Sequence, residues 1–345
     1  MNPRERVIRA VEFEGPDRVP NGCYALPGAF YRHGEKLVDL LQRYPSDFHS
    51  FVCTWTDMIE VFRDSVPYKA GINRDPWGCV WKTIHPGIFG RIIEHPLADL
   101  KNLEDYELPD IDEVVDFDKV EKSIRLSGHQ RYILGDSENF FERLHFLHGY
   151  ENTLIDLTLG RREIRKLIDL LFDFKMRFIK RWLELDIDGL YFLDDWGTQH
   201  GLMINPRIWR EIFKPLYKQM FDAVHKAGKH VFFHSDGYVL DIIPDLIEIG
   251  VDALNIQVDL MGVKVISERF GGKVCILADI DRQHLLPFGK PDEIKEHIKH
   301  IIQAFSNFNG GLIAWGEIGP DVPLENAEAM LWAFEKYGQY PLKSG

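Results

Sequence analysis

Two short runs carry the side chains most able to do chemistry. The apolar run Val231-Phe232-Phe233 stops abruptly at His234-Ser235-Asp236-Gly237, and Leu190-Tyr191-Phe192-Leu193 stops at Asp194-Asp195. Other apolar runs end the same way, at Asp136, at Asn255 and Gln257, at Asp279 and Asp281, and at Glu317. A histidine among several carboxylates has two uses. Neutral imidazole and carboxylate oxygens can hold a divalent metal with a position left for water or substrate. Crowded carboxyls in a poorly solvated cleft can instead gain proton affinity and act as acids or bases. His234 and Asp236 are two apart on a strand end, so both side chains can face one side.

These residues need a scaffold that gathers strand ends. Eight segments read as strands: 21–24, 48–55, 131–136, 189–195, the central stretch 229–237, 253–257, 274–279 and 311–317. Most are apolar, β-branched or aromatic, and helical patterns separate them. That rhythm predicts parallel βα units closed into a (β/α)8 TIM barrel, an α/β fold whose chemistry sits at the carboxyl ends of its strands. A doubly wound open sheet is the alternative. A helical extension over Pro3 to Phe13 precedes the barrel. Residues 67–108, rich in Gly, Pro, Trp and His, read as a small inserted β excursion over its mouth, within one domain spanning 1–345. No glycine-rich phosphate motif opens any helix, which argues against dinucleotide or P-loop sites.

A formal charge of -13 argues against nucleic-acid or anionic-membrane binding, both of which need clustered cations. A small-molecule substrate or a protein partner fits better. No apolar stretch of membrane-spanning length is present, and the first residues lack an apolar signal core, so a cytoplasmic location is expected. Cys23, Cys53, Cys79 and Cys275 lie too far apart for a cysteine-only zinc knuckle or a disulfide framework.

Several runs together resemble the uroporphyrinogen decarboxylase superfamily: Leu193 to Gln199, His234-Ser235-Asp236-Gly237, Ile243 to Asp252, Asp279 to Gln283 with Leu286-Pro287-Phe288-Gly289, and Gly311 to Met330. The resemblance extends from about Asp136 to the end and more weakly over Met1 to Asp110. It implies a single (β/α)8 barrel. The superfamily holds cofactor-free decarboxylases and corrinoid-linked methyltransferases that use zinc. The arginine-rich early motif of the decarboxylases is missing, with Asn21-Gly22-Cys23-Tyr24-Ala25-Leu26-Pro27 in its place. A carboxylate-lined cleft would also repel an octacarboxylate substrate. In thiol-methylating relatives the zinc ligands are His-x-Cys on one strand end and a Cys near the last strand. Here His234 and Asp236 stand at the first positions, and Gly316-Glu317 at or beside the last. Loss of thiolates hardens the donor set and disfavours a thiol acceptor.

The expectation is therefore a nearer kinship with the methyltransferases: a methyltransferase or demethylase moving a methyl group from an O- or N-methylated small molecule to a corrinoid protein, assisted by zinc or another divalent metal. His234, Asp236 and Glu317, with Cys23 as an extra ligand, would hold the metal. Asp194, Asp195, His234 and Glu317 would be catalytic, while Gln199, Asn255, Gln257, Asp279, Asp281 and Trp315 would shape the substrate pocket. Tyr24, Trp55 and Trp196 would help wall the cleft, and Arg143, His145 and His148 would meet an anionic group or decorate a helix face. A homodimer is a further expectation. The alternatives are a cofactor-free decarboxylase or lyase on a small carboxylic acid, and a catalytically silent ligand-binding barrel.

Overall fold

A computed structural model describes residues 1–51, 60 and 65–342. Its strands are β1 (Asn21–Ala25), β2 (Gly71–Arg74), β3 (Val80–Thr83), β4 (Arg91–Glu94), β5 (Leu134–Asp136), β6 (Gly189–Leu193), β7 (His230–Ser235), β8 (Ala253–Ile256), β9 (Cys275–Asp279) and β10 (Leu312–Ile318). Seven of them, β1 and β5 to β10, are the parallel strands of an α/β barrel fold, and helices follow each. The eighth strand expected, 48–55, is represented by a parallel bridge from Phe48 to Tyr132. Cys53, Trp55 and the rest of that segment from residue 52 lie outside the described residues.

The chain forms two compact units, the first made of Met1–Glu60, Ser127–Leu134 and Val251–Gly345. Here β1, β10, β9 and β8 lie side by side in that order, all parallel. β9 is buried along its whole length, and its run Cys-Ile-Leu-Ala carries no polar group before Asp279. A strand covered on both faces needs this continuous apolar run rather than alternation. The expected N-terminal helix is Pro3–Val11, with Asn2 capping Glu5 N–H. Its Arg6 turns inward to Asp17 (2.6 Å) and Asp47 (2.6 Å), so a nearly buried cation is paired on both sides.

The second unit is Val61–Leu126 with Gly135–Gly250. It holds β5, β6 and β7 in that order, with β6 and β7 parallel and Leu193 opposite His234. The 22-residue helix Arg162–Leu183 buries Ile164, Leu167, Ile168, Leu171, Phe174 and Phe178 along one stripe. At about 1.5–3 kcal/mol for each large apolar side chain removed from water, burial of this stripe holds the helix in place, with Phe174 against Trp77 (4.7 Å) and Phe178 against Phe117 (5.8 Å). The β excursion is a three-stranded antiparallel sheet, β2-β3-β4. It is fastened to the helix Phe141–His148: Cys79 Sγ donates to Phe146 O (3.3 Å), Leu97 N–H donates to Leu147 O (2.9 Å), and His95 Nδ1 lies 2.7 Å from Phe146 O. Between them Arg143 stacks on Trp77 at 4.4 Å and pairs with Glu138 and Asp75. His148 bonds Leu97 O (2.7 Å) and Asp156 (3.2 Å). Arg143 and His148 thus turn inward as fasteners, not outward as helix decoration.

Candidate metal and acid-base centre

The centre lies at the carboxyl ends of β6 and β7, within the second unit. His234 Nε2 is 3.6 Å from Asp195 Oδ1 and 3.3 Å from Asp236 Oδ1. One ligand atom from each of the three residues lies within 4.8 Å of the others. All three are partly exposed, so a ligand can reach them.

Backbone contact between two loops sets this spacing. Gly197 follows Asp195-Trp196 and Gly237 follows Asp236, and the loops touch there. A Cβ on Gly197 would stand 2.6 Å from the carbonyl carbon of Gly237, and one on Gly237 would stand 2.2 Å from that of Gly197. Gly237 also has φ +79°, a region that favours glycine. Gly197 N–H donates to Asp236 O (3.2 Å), Tyr238 N–H to Thr198 O (2.7 Å), and Asp236 N–H to Asp195 Oδ1 (2.8 Å). The repeated pattern of acid before glycine in the two runs is what lets two strand-end carboxylates approach one imidazole.

Asp194 faces the other way. It is 2% exposed and accepts N–H bonds from Phe140 (3.0 Å), Phe141 (2.8 Å) and Glu142 (3.1 Å), together with the Tyr217 hydroxyl. The carboxylate therefore caps the helix Phe141–His148, where unpaired N–H groups and the helix dipole favour negative charge. Burial raises its pKa to about 6 against the opposing pull of Lys175 and these donors. Trp196, expected to wall the cleft, is fully buried: it stacks on Phe141 at 4.0 Å and donates Nε1–H to Tyr217 (3.2 Å). An aromatic side chain next to a strand end was as able to fill the core behind the site as to line it.

The cap brings in a residue that sequence reasoning missed. Glu142 sits in the first turn of that helix, and Asn139 Nδ2–H donates to its Oε2. Burial, then the charges of Asp195 and Asp194, push its pKa up to about 9, with His234 and Asn139 opposing. The available signal was position: Glu142 follows strand end Asp136 by six residues and opens the next helix. Because the folded pKa is raised, Glu142 gives the metal-free protein stability that is complete below the unfolded value near 4.5 and is lost as pH rises through about 9. Melting temperatures of the metal-free protein are expected to fall across that window. Glu142→Gln should flatten the slope, and an unchanged slope would show that Glu142 does not hold the extra proton.

The remaining expected site residues have definite places. Gln199 is exposed on the loop after β6. In the first unit, Glu317 accepts from Arg282 (2.7 Å), and the half-buried Cys23 thiol is pushed up to about 12 by burial and by Glu317. Asn255 Nδ2–H donates to Asp279 Oδ1 (3.0 Å), and both side chains are buried. Asp281 accepts from Gln283 N–H and His284 N–H (both 2.9 Å), closing the turn after β9. Gln257 stands just before the helix Val258–Met261. Trp315 packs edge-on against Phe48 (5.3 Å) over Gly22, where a Cβ would meet its ring at 2.2 Å. Tyr24 is 51% exposed.

Comparison with known proteins agrees with this architecture. The family model for uroporphyrinogen decarboxylase (URO-D) matches residues 85–337, well over half of the chain. The chain belongs to the uroporphyrinogen decarboxylase family. It is also similar to the methylcobamide:CoM methyltransferase MtbA of Methanosarcina mazei, with 20% identity over 315 residues covering 88% of this chain and 89% of that protein. A solved methyltransferase from Methanosarcina mazei superposes with a TM-score of 0.69 at 17% identity, covering 98% of this chain and 99% of that one, and shares its fold.

Proposed function

We propose that the chain is a methyltransferase that moves a methyl group from an O- or N-methylated small molecule to a corrinoid held by a protein, with a divalent metal at Asp195, His234 and Asp236. The observation that carries this is the cluster itself. Three residues offer ligand atoms within 4.8 Å of one another, and the negative charges of Asp195 and Asp194 add to burial in holding the proton of nearby Glu142. A divalent cation would relieve that imbalance. One imidazole and two carboxylates suit zinc or a harder metal, and three protein ligands leave a position for the substrate heteroatom. Bound there, the metal would act as a Lewis acid on that heteroatom. Similarity to MtbA supports methyl transfer and a corrinoid, while replacement of thiolates by carboxylates favours an oxygen or nitrogen donor over a thiol.

The protein's own part in the reaction is to orient and to protonate. The C–O or C–N bond breaks with its electron pair left on the heteroatom. A reduced corrinoid, as the methyl acceptor, would supply the electron pair for the methyl group's new bond, and the heteroatom would take one proton. In this proposal Glu142, whose Oε2 accepts from Asn139, would give that proton from Oε1. Asp194 fixes the helix that presents Glu142, and Asp236 N–H fixes the rotamer of Asp195. The test is an assay of zinc-supplemented protein with reduced cobalamin and a panel of methoxylated acids, phenyl ethers and methylamines, read as methylcobalamin formed. Transfer from at least one donor supports the proposal. No transfer from any donor, with carbon dioxide released from a small carboxylic acid, would shift the reading to the cofactor-free lyase.

A further inference from the structure

The buried stripe of the helix Arg162–Leu183 carries one charge. Lys175 stands in it between Phe174 and Phe178 and is 2% exposed. A buried ammonium is costly unless its N–H groups are used, and here Nζ donates to Ser137 O, to Glu138 O and to the Ser137 hydroxyl oxygen (3.3 Å). An apolar side chain would fill the same space without that cost. What the charge adds is a hold on the segment that joins β5 to the helix Phe141–His148. Ser137 N–H also donates to Tyr191 O (2.9 Å). Glu138 adopts φ +61°, a region an L side chain keeps only where its surroundings hold it, and its carboxylate accepts from Arg143 Nε (3.0 Å). Asn139 then donates Nδ2–H to Glu142 Oε2. Beyond it Asp194 takes the N–H groups of Phe140, Phe141 and Glu142. Lys175 thus grips the carbonyls before Asn139, and Asp194 grips the amides after it.

We infer that Lys175 is a positioning residue for proton delivery: it fixes the strap 137–139 so that Asn139 holds one oxygen of the Glu142 carboxyl and leaves the other to the substrate. The inference rests on the proposed function, in which Glu142 gives its proton to the departing heteroatom, and it adds what aims that proton. In that step the C–O or C–N bond breaks with its electron pair on the heteroatom. Glu142 passes its proton there and becomes a carboxylate, which solvent reprotonates afterwards. Lys175 acts only through Glu142, since the strap takes up its N–H groups. Without the ammonium, Ser137 O and Glu138 O lose this donor, the left-handed turn at Glu138 is free to relax, and the bond from Asn139 to Glu142 goes with it. A misaimed carboxyl slows proton transfer and leaves substrate binding alone.

The experiment is a double-mutant cycle on methyl transfer to free reduced cobalamin by the zinc-supplemented protein. The donor is whichever of the methoxylated acids, phenyl ethers and methylamines the wild type accepts. Glu142→Gln should lower kcat by about 10²-fold, the scale of general acid catalysis. Lys175→Met keeps the aliphatic stem and removes the N–H groups, and it should lower kcat by about 30-fold with KM within about twofold of wild type. The variant carrying both changes should fall within about threefold of Glu142→Gln alone, because the second change removes only what the first has already lost. Losses that multiply would show that Lys175 supports the fold and not this proton, and would overturn the inference. A Lys175→Met kcat within about threefold of wild type would overturn it too. So would a fully active Glu142→Gln protein, which leaves methyl transfer standing without this proton donor. Should Lys175→Met fail to fold, Asn139→Ala, at a partly exposed position, enters the same cycle with the same expected and overturning results. No transfer by the wild type from any donor overturns the proposed function and this inference with it.

Discussion

His234→Ala is expected to lower methyl transfer by at least about 10³-fold, the scale for removing one group that stabilises developing charge. His234 is the nitrogen donor of the cluster, and its Nε2 is what Asp195 and Asp236 converge on. Without it two carboxylates remain beside Glu142, a set that binds a divalent metal weakly and has no neutral ligand. The fold should survive. His234 is partly exposed, and its ring meets Tyr191 edge-on at 6.3 Å, so truncation leaves a shallow gap at a strand end and not a core cavity. The fall should appear in kcat more than in KM if the group acts in the transition state. Retention of more than about a tenth of wild-type activity would contradict the assignment, because no spare imidazole is placed in this cluster among the described residues.

Asp194→Ala is expected to act through stability, with a loss of about 3–5 kcal/mol. The carboxylate serves three backbone N–H groups and a hydroxyl at a buried helix start, and alanine would leave these donors unpaired. Tyr217 would keep only the bond from Trp196. A loss of this size corresponds to a fall in Tm of roughly 5–15 °C. Asp194→Asn should lose less, since its carbonyl oxygen can still accept from the helix. Urea unfolding of the three proteins separates these outcomes, and an alanine variant within about 1 kcal/mol of wild type would show that the cap is dispensable. The contrast with His234 distinguishes the adjacent acids: Asp194 builds the centre, and Asp195 belongs to it.

Much of this was legible in the sequence for one reason. A buried parallel strand must be apolar until it reaches the end of the sheet, so the first polar residue marks the face where chemistry can occur. Val231-Phe232-Phe233 followed by His234, and Leu193 followed by Asp194-Asp195, announced both their strands and the ends at which the candidate site is proposed. What the same pattern cannot show is direction. Asp194 and Asp195 are neighbours with identical chemistry, yet one turns to a helix start and the other to His234, a choice made by the position of the helix Phe141–His148. Glu142 was unreadable because its importance depends on that helix being pinned by an acid 52 residues away. Glu317 read as a ligand because it ends β10; its bond to Arg282, 35 residues earlier, leaves no trace in local spacing. Trp196 shows that an aromatic at a strand end carries no mark of which side it will fill.

The central claim is a metal held by Asp195, His234 and Asp236, and elemental analysis of the purified protein by plasma mass spectrometry tests it most directly. The wild type should carry zinc or another divalent metal at close to one atom per chain, and Asp236→Asn and His234→Ala should each lose most of it while Glu317→Ala keeps it. No metal in the wild type after reconstitution, or equal metal in His234→Ala, would contradict the account and leave the carboxyl groups to work as acids and bases alone.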